Sequence, residues 1–206
     1  MLNHIRQLVK NSREAVSNFF FTCNYPGIAG IYTHLSAEEK STLIHLAENC
    51  NGLTFVEIGS FFGASSCCIA EGILSAGKKA QLYCVDTWQN DAMGGMKRSD
   101  TYPEFLQNTR KYTETIVPLR GTSREIASVF EKKIDFLFID ADHSYEGIKE
   151  DVELWFPKLR TGALVVFHDV EWAEGVRQII REEVVPRAEK EDRLPNLYWA
   201  RVTGST

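Results

Sequence analysis

The chain alternates short, mostly apolar runs with longer amphipathic segments, and that rhythm admits few folds. The runs are Thr54–Ile58, Gln81–Val85, Thr115–Leu119, Ile134–Ile139 and Ala163–Phe167. Apolar stretches this short, rich in β-branched and aromatic residues, read as strands buried on both faces, as in a parallel sheet. Between them Ala64–Ser75, Tyr102–Thr113, Ser123–Glu131 and Tyr145–Leu159 have helical length and spacing. Strand and helix in turn predict right-handed βαβ crossovers and an α/β fold. Trp172–Val185 predicts one more helix, and Leu197–Val202 a strand after the Pro195-Asn196 turn. The expectation is an open, mostly parallel sheet of six or seven strands with helices on both faces.

Ahead of the first strand, Ser36 and Glu39 have capping-box spacing and open a helix that runs to Glu48. The first 22 residues read as another helix, broken at Asn24-Tyr25-Pro26-Gly27. Residues 1–50 therefore form a helical arm or cap, and 51–206 the sheet domain. Phe19, Phe20 and Phe21 suit packing of the arm either on the body or on a second copy of the chain, a homodimer. With 23 basic against 28 acidic side chains the formal charge is −5, which gives no field to gather nucleic acid or an anionic membrane surface. No apolar run approaches the roughly 20 residues that cross a bilayer. The charged N-terminus does not read as a signal peptide, so a cytoplasmic location is expected. Five cysteines without a CxxC pair do not make a disulfide framework, and Cys67, Cys68 and Cys84 suit buried positions.

In an open α/β sheet ligands bind at the carboxyl ends of the strands. The first strand ends in Glu57-Ile58-Gly59-Ser60-Phe61-Phe62-Gly63, followed by Ala64 and Ser65. Its glycines allow a tight turn, and the helix behind it offers free N–H groups to an anion. The dinucleotide pattern G-x-G-x-x-G is absent, because Phe61 stands where its second glycine would be. The second strand ends in Asp86-Thr87-Trp88. A carboxylate there can accept both hydroxyls of a ribose, and Trp88 can stack on a base or cover the core. Strands four and five end in Asp140-Ala141-Asp142-His143 and His168-Asp169. Such an oxygen-rich cluster suits a hard divalent cation such as Mg²⁺, and a histidine beside it suits a general base. Asp142 can equally cap the helix that follows. His4, His34 and His45 suit surface or packing positions, while Lys97 and Arg98 in the stretch Asp91–Asp100 suit a loop over the site.

With these pieces in this order, residues 35–185 resemble the class I S-adenosylmethionine-dependent methyltransferases, with their Rossmann-like sheet. The match rests on Glu57-Ile58-Gly59-Ser60 with Gly63 and Ser65, on Asp86, on Gly121-Thr122-Ser123, and on Phe138-Ile139-Asp140-Ala141-Asp142. Among them the chain is most similar to the small metal-dependent O-methyltransferases of the catechol, caffeoyl-CoA and macrolide-sugar type. The resemblance implies cofactor contacts from Glu57, Gly59, Ser60, Gly63 and Ser65 around the methionine part. It also implies Asp86 on the ribose, and Thr122 and Ser123 toward the adenine; Trp88 is counted with these cofactor residues for its place two positions after Asp86. Asp140 borders the cofactor and, with His168 and Asp169, holds Mg²⁺; His143 is the base that works with Asp140. The catechol-type enzymes have Asp-Asn where this chain has His168-Asp169, and a lysine where it has His143. The implied reaction moves a methyl group to a hydroxyl of a small-molecule acceptor, a sugar or a phenol, with no nucleic acid or membrane as partner. Two other readings remain: an NAD-dependent oxidoreductase, opposed by Phe61, and a non-catalytic nucleoside-binding protein of the same fold.

Overall fold

The computed structural model describes residues 2–89 and 100–203, with side chains from residue 11 onward. Lys97 and Arg98, expected in a loop over the site, lie outside the described residues. Helices α1 (Leu2–Asn24), α2 (Pro26–Ala29) and α3 (Ala37–Glu48) precede the first strand. From there strand and helix alternate through β1 (Thr54–Ile58), α4 (Ala64–Ser75), β2 (Gln81–Asp86), α5 (Tyr102–Thr109), β3 (Ile116–Arg120) and α6 (Ser123–Val129). The chain continues through β4 (Ile134–Ile139), α7 (Tyr145–Trp155), β5 (Leu159–His168) and α8 (Glu174–Ile179), and closes with β6 (Ala188–Arg193) and β7 (Leu197–Val202).

The seven strands form one sheet in the order β3-β2-β1-β4-β5-β7-β6. The first five are parallel, and β7 runs antiparallel between β5 and β6. Strand order reverses between β1 and β4, so the crevice at their carboxyl ends is where this topology places a ligand. Alternate residues of the central strands feed two cores. Phe55, Leu82, Cys84, Phe136, Phe138 and Val166 meet α3 and α4 on one face, and Val56, Val85, Leu137, Ile139, Val165 and Phe167 meet α7 and α8 on the other. Helix α3 thus belongs to the layer that covers the sheet. Cys67, Cys68 and Cys84 are buried as expected. Phe21 is buried, while Phe19 and Phe20 lie exposed on α1.

Helices expected to reach Thr113 and Leu159 end at Thr109 and Trp155, and three further departures from the sequence reading have physical reasons. The expected helix Trp172–Val185 starts at Glu174 and changes after Ile179 into a π turn and a 3₁₀ turn around Pro186. Strand β5 begins at Leu159, earlier than expected, because it pairs with Ile134 across a register shift before the apolar run starts. Strand β6, with the sequence AEKEDR, has no apolar face to betray it. It sits exposed at the sheet edge, held by its pairing with β7 and a turn in which Leu194 N–H donates to the Leu197 carbonyl at 2.8 Å.

Candidate active site

The crevice between β1 and β4 begins with the turn after β1. Gly59 has φ +84°, and a Cβ on it would stand 2.1 Å from the Asp140 carbonyl oxygen. Only glycine lets β1 pass this close to the end of β4, where Asp140 N–H donates to the Ile58 carbonyl at 2.9 Å. Gly63, at φ +86°, packs against Thr109 and Phe105 and starts α4. Among the described residues, three that are not glycine have positive φ: Phe61 (45°), Trp88 (54°) and Asp169 (60°). All three follow strand ends around the crevice, and backbone held in this way costs of order 1–3 kcal/mol per residue. Asp86 holds two of them. Its Oδ2 accepts the N–H groups of Ser60 (2.9 Å) and Phe61 (2.8 Å), and its Oδ1 that of Trp88 (2.6 Å).

A cavity of about 900 Å³ opens on this turn, within the size range of small-molecule sites. Gly59, Ser60, Ser65, Asp86, Thr122, Ser123, Asp140, His143, His168 and Asp169 line it, so ten of the residues expected to act converge on one space. Gly63 and Glu57, also expected to act, do not line it. Glu57 is fully buried; Ser66 donates to its Oε2, and Oε1 has no partner among the described residues. Burial pushes its carboxyl up, against the hydroxyls of Ser65, Ser66 and Ser60, which pull it down. Trp88, expected to be able to stack on a base, is instead core. It is completely buried against Tyr102 and Phe105, and its indole N–H donates to the Phe61 carbonyl at 2.9 Å. The hydroxyls of Thr122 and Ser123 are engaged, the first in the capping box of α6 with Glu125, the second donating to Asp151. Asp142 lines the cavity and accepts the Ser144 N–H at 2.8 Å, but the cap of α7 is Ser144, whose hydroxyl accepts the Gly147 N–H at 3.1 Å.

At the other end of the cavity, Asp140, His143 and Asp169 bring one ligand atom each to within 4.8 Å of one another. His143 Nε2 lies 2.8 Å from Asp169 Oδ2 and 3.8 Å from Asp140 Oδ1. That nitrogen is buried and directed so that it makes no hydrogen bond. The two carboxylates supply oxygen ligands that fit a hard divalent cation, with the imidazole of His143 beside them. His168 does not belong to that set, contrary to the expectation that it would be a ligand. It is 2% exposed, with Nδ1 at 3.2 Å from both Asp140 Oδ1 and Asp169 Oδ1, and Nε2 at 3.2 Å from Asn196 Nδ2 and 3.7 Å from Glu39 Oε2. Both ring nitrogens are thus committed inside the protein. Burial pulls its pKa down, but the carboxylates of Asp140, Asp169 and Glu39 prevail and push it up to about 12. The carboxylates of Asp140 and Asp169 raise His143 to about 9. Burial would raise Asp140 and Asp169 in turn, yet the two imidazoles hold both below the ordinary carboxylate range.

Four further residues meet the site that sequence reasoning did not place there, His34 among them, which was expected at a surface or packing position. Tyr32 and His34, joined at 3.2 Å, line the cavity from the segment before α3, beside Phe61 and Phe62. Asn196, from the β6–β7 turn, donates to Asp169 Oδ1 at 3.0 Å. Trp172 donates to the same oxygen at 2.8 Å, stands 4.9 Å from the His143 ring and is 61% exposed. Only the Asn196 turn left a sequence trace, as Pro-Asn after a charged stretch.

Known proteins share this architecture. An uncharacterized protein of Sinorhizobium fredii is 31% identical over 120 residues, covering 58% of this chain and 13% of its own length. This chain therefore spans about an eighth of that relative. The O-methyltransferase NovP superposes with a TM-score of 0.70 at 16% identity, over 85% of this chain and 84% of its own. The O-methyltransferase TomG from Streptomyces achromogenes, solved in complex with S-adenosylmethionine, gives 0.62 at 19% identity over 82% of each chain. At such identities the likeness is one of fold. The family model described as a methyltransferase domain matches residues 56–170, from β1 and its glycine turn to the residue after Asp169, and the chain belongs to that family.

Proposed function

We propose that the protein transfers the methyl group of S-adenosylmethionine to a hydroxyl of a small molecule, a sugar or a phenol. The observation that carries this reading is convergence. The glycine turn with Asp86 and the Asp140–His143–Asp169 cluster open on one cavity of about 900 Å³, which has room for cofactor and acceptor together. The TomG complex, of the same fold, contains S-adenosylmethionine. Phe61, at the position a dinucleotide's pyrophosphate would need clear, speaks against NAD.

In this reading the turn and α4 hold the methionine part, with Glu57 beneath them, while Asp86 serves the ribose and Thr122 with Ser123 border the base. Asp140 and Asp169 would hold a divalent cation, Mg²⁺ or a similar ion, which would supply a lowered hydroxyl pKa and a fixed direction for the acceptor oxygen. His143 takes the hydroxyl proton as the oxygen attacks in line, so the C–O bond forms while the C–S bond breaks and neutral S-adenosylhomocysteine leaves. Tyr32 and His34 bound the acceptor end.

Calorimetry tests the reading directly. S-adenosylhomocysteine is expected to bind and NAD not, and the reverse result would overturn it. Once an acceptor is found in a panel of phenols and nucleotide sugars, His143→Ala should lose turnover while S-adenosylhomocysteine affinity stays within about twofold. Full activity of that variant would remove the base assignment, and full activity after EDTA treatment would remove the cation.

A further inference from the structure

We infer that Glu39 and His168 are positioning residues that set the two carboxylates of the candidate cation site and fasten them to the segment bounding the acceptor end of the cavity. The inference rests on the methyl-transfer reading above. It begins with a contrast inside the molecule. Two helices open with the same capping box, Ser36/Glu39 on α3 and Thr122/Glu125 on α6. Glu125 is exposed, as capping allows, whereas Glu39 is 5% exposed. Capping needs no burial, and burying a carboxylate costs several kcal/mol unless it is paired. The partner is His168, whose Nε2 stands 3.7 Å from Glu39 Oε2.

Through its other nitrogen His168 touches Oδ1 of both Asp140 and Asp169. Asp169 Oδ1 also accepts from Trp172 and Asn196. With that oxygen saturated, the carboxylate cannot rotate without breaking several bonds, and Oδ2 is left facing His143 at 2.8 Å. His168 therefore helps to set which oxygens the pair presents, and Glu39, together with Asn196 Nδ2 at 3.2 Å from the same Nε2, sets where His168 stands. Glu39 is itself anchored, its Oε2 accepting the Ser36 N–H at 2.7 Å, only two residues after His34 of the cavity wall. Outer-shell partners of this kind change cation affinity by about 10–100-fold when removed.

The test uses Mn²⁺ alone as probe, titrated into the full chain and followed by the EPR signal of the free ion. Glu39→Gln suits it, because glutamine at this position still completes a capping box and the helix start is kept. The expected result is Mn²⁺ affinity lowered by about 10–100-fold with S-adenosylhomocysteine affinity within about twofold of wild type. His168→Gln should lower it similarly, and the double variant should be no weaker than His168→Gln, because Glu39 acts through His168. Wild-type affinity in Glu39→Gln, or additive losses in the double variant, would overturn the inference and leave the methyl-transfer reading standing. Absence of Mn²⁺ binding by the wild-type chain would overturn the cation assignment and this inference with it.

Discussion

Replacing Asp151 by asparagine should stabilise the fold at neutral pH while weakening the cofactor site. Asp151 lies on α7, 4% exposed, and accepts a hydrogen bond from Ser123, whose oxygen in turn accepts the Trp155 indole N–H at 2.8 Å. Burial lifts its carboxyl from 3.8 to about 6, with Glu150 and Asp142 adding to the rise against the Ser123 hydroxyl. At about 1.4 kcal/mol per pH unit, keeping it ionised in the folded chain costs about 3 kcal/mol. Because the folded pKa is the higher one, this group's contribution to stability is complete below about pH 4, drains away as pH rises to about 6, and is absent above it. Asparagine carries no such cost and can still accept from Ser123. Urea unfolding at pH 4, 5, 6 and 7.5 should show the two proteins equal at pH 4 and the variant ahead by up to about 3 kcal/mol at pH 7.5. In a chain of this size that corresponds to a melting point higher by about 6–12 °C. Asp151 also lines the cavity beside Thr122 and Ser123, so S-adenosylhomocysteine affinity should fall in the same variant, a trade of stability for binding. A variant no more stable than wild type at pH 7.5 would refute the argument from burial.

Other perturbations follow from the same geometry. Gly59→Ala would place a methyl 2.1 Å from the Asp140 carbonyl at φ +84°; a loss above about 2 kcal/mol is expected, read as a lowered urea midpoint. Asp86→Ala removes the acceptor of three backbone N–H groups, and should cost about 2–4 kcal/mol together with S-adenosylhomocysteine binding by calorimetry. Trp88→Ala, at a fully buried position, should cost about 3–5 kcal/mol; a neutral effect on stability with lost cofactor affinity would return Trp88 to the base-stacking role.

The fold was legible wherever burial leaves a mark in composition. Strands β1 and β4 are hydrophobic because helices cover both faces, and their boundaries matched the sequence reading to the residue. Strand β6 was not legible, since an exposed edge strand can be built from AEKEDR and is specified by its partner. In the site, residues that follow strands were found because topology alone directs them to the crevice. What the sequence could not convey is division of labour among adjacent polar groups. His168 and Asp169 are consecutive and both border the cavity, yet at Asp169 the backbone turns to φ +60°, leaving the His168 ring to reach inward to Glu39 while Asp169 Oδ2 faces His143. Trp88 was ambiguous for a similar reason: the same positive φ that lets the chain leave β2 folds the indole under the turn. Glu39 was legible as a cap and not as a partner of His168, because its second contact is made 129 positions along the chain.

The sheet's two margins bear on how copies of this molecule can meet. At one, β3 exposes a strand interrupted by Pro118, which has no N–H to offer. At the other, β6 presents Glu189, Lys190, Glu191, Asp192 and Arg193 to solvent. An incoming strand finds a missing donor on one side and a fence of mixed charge on the other, both recognised defences against edge-to-edge growth. Pairing of copies into a continuous intermolecular sheet through these margins is thereby disfavoured, whereas α1 displays Val16, Phe19 and Phe20 to solvent.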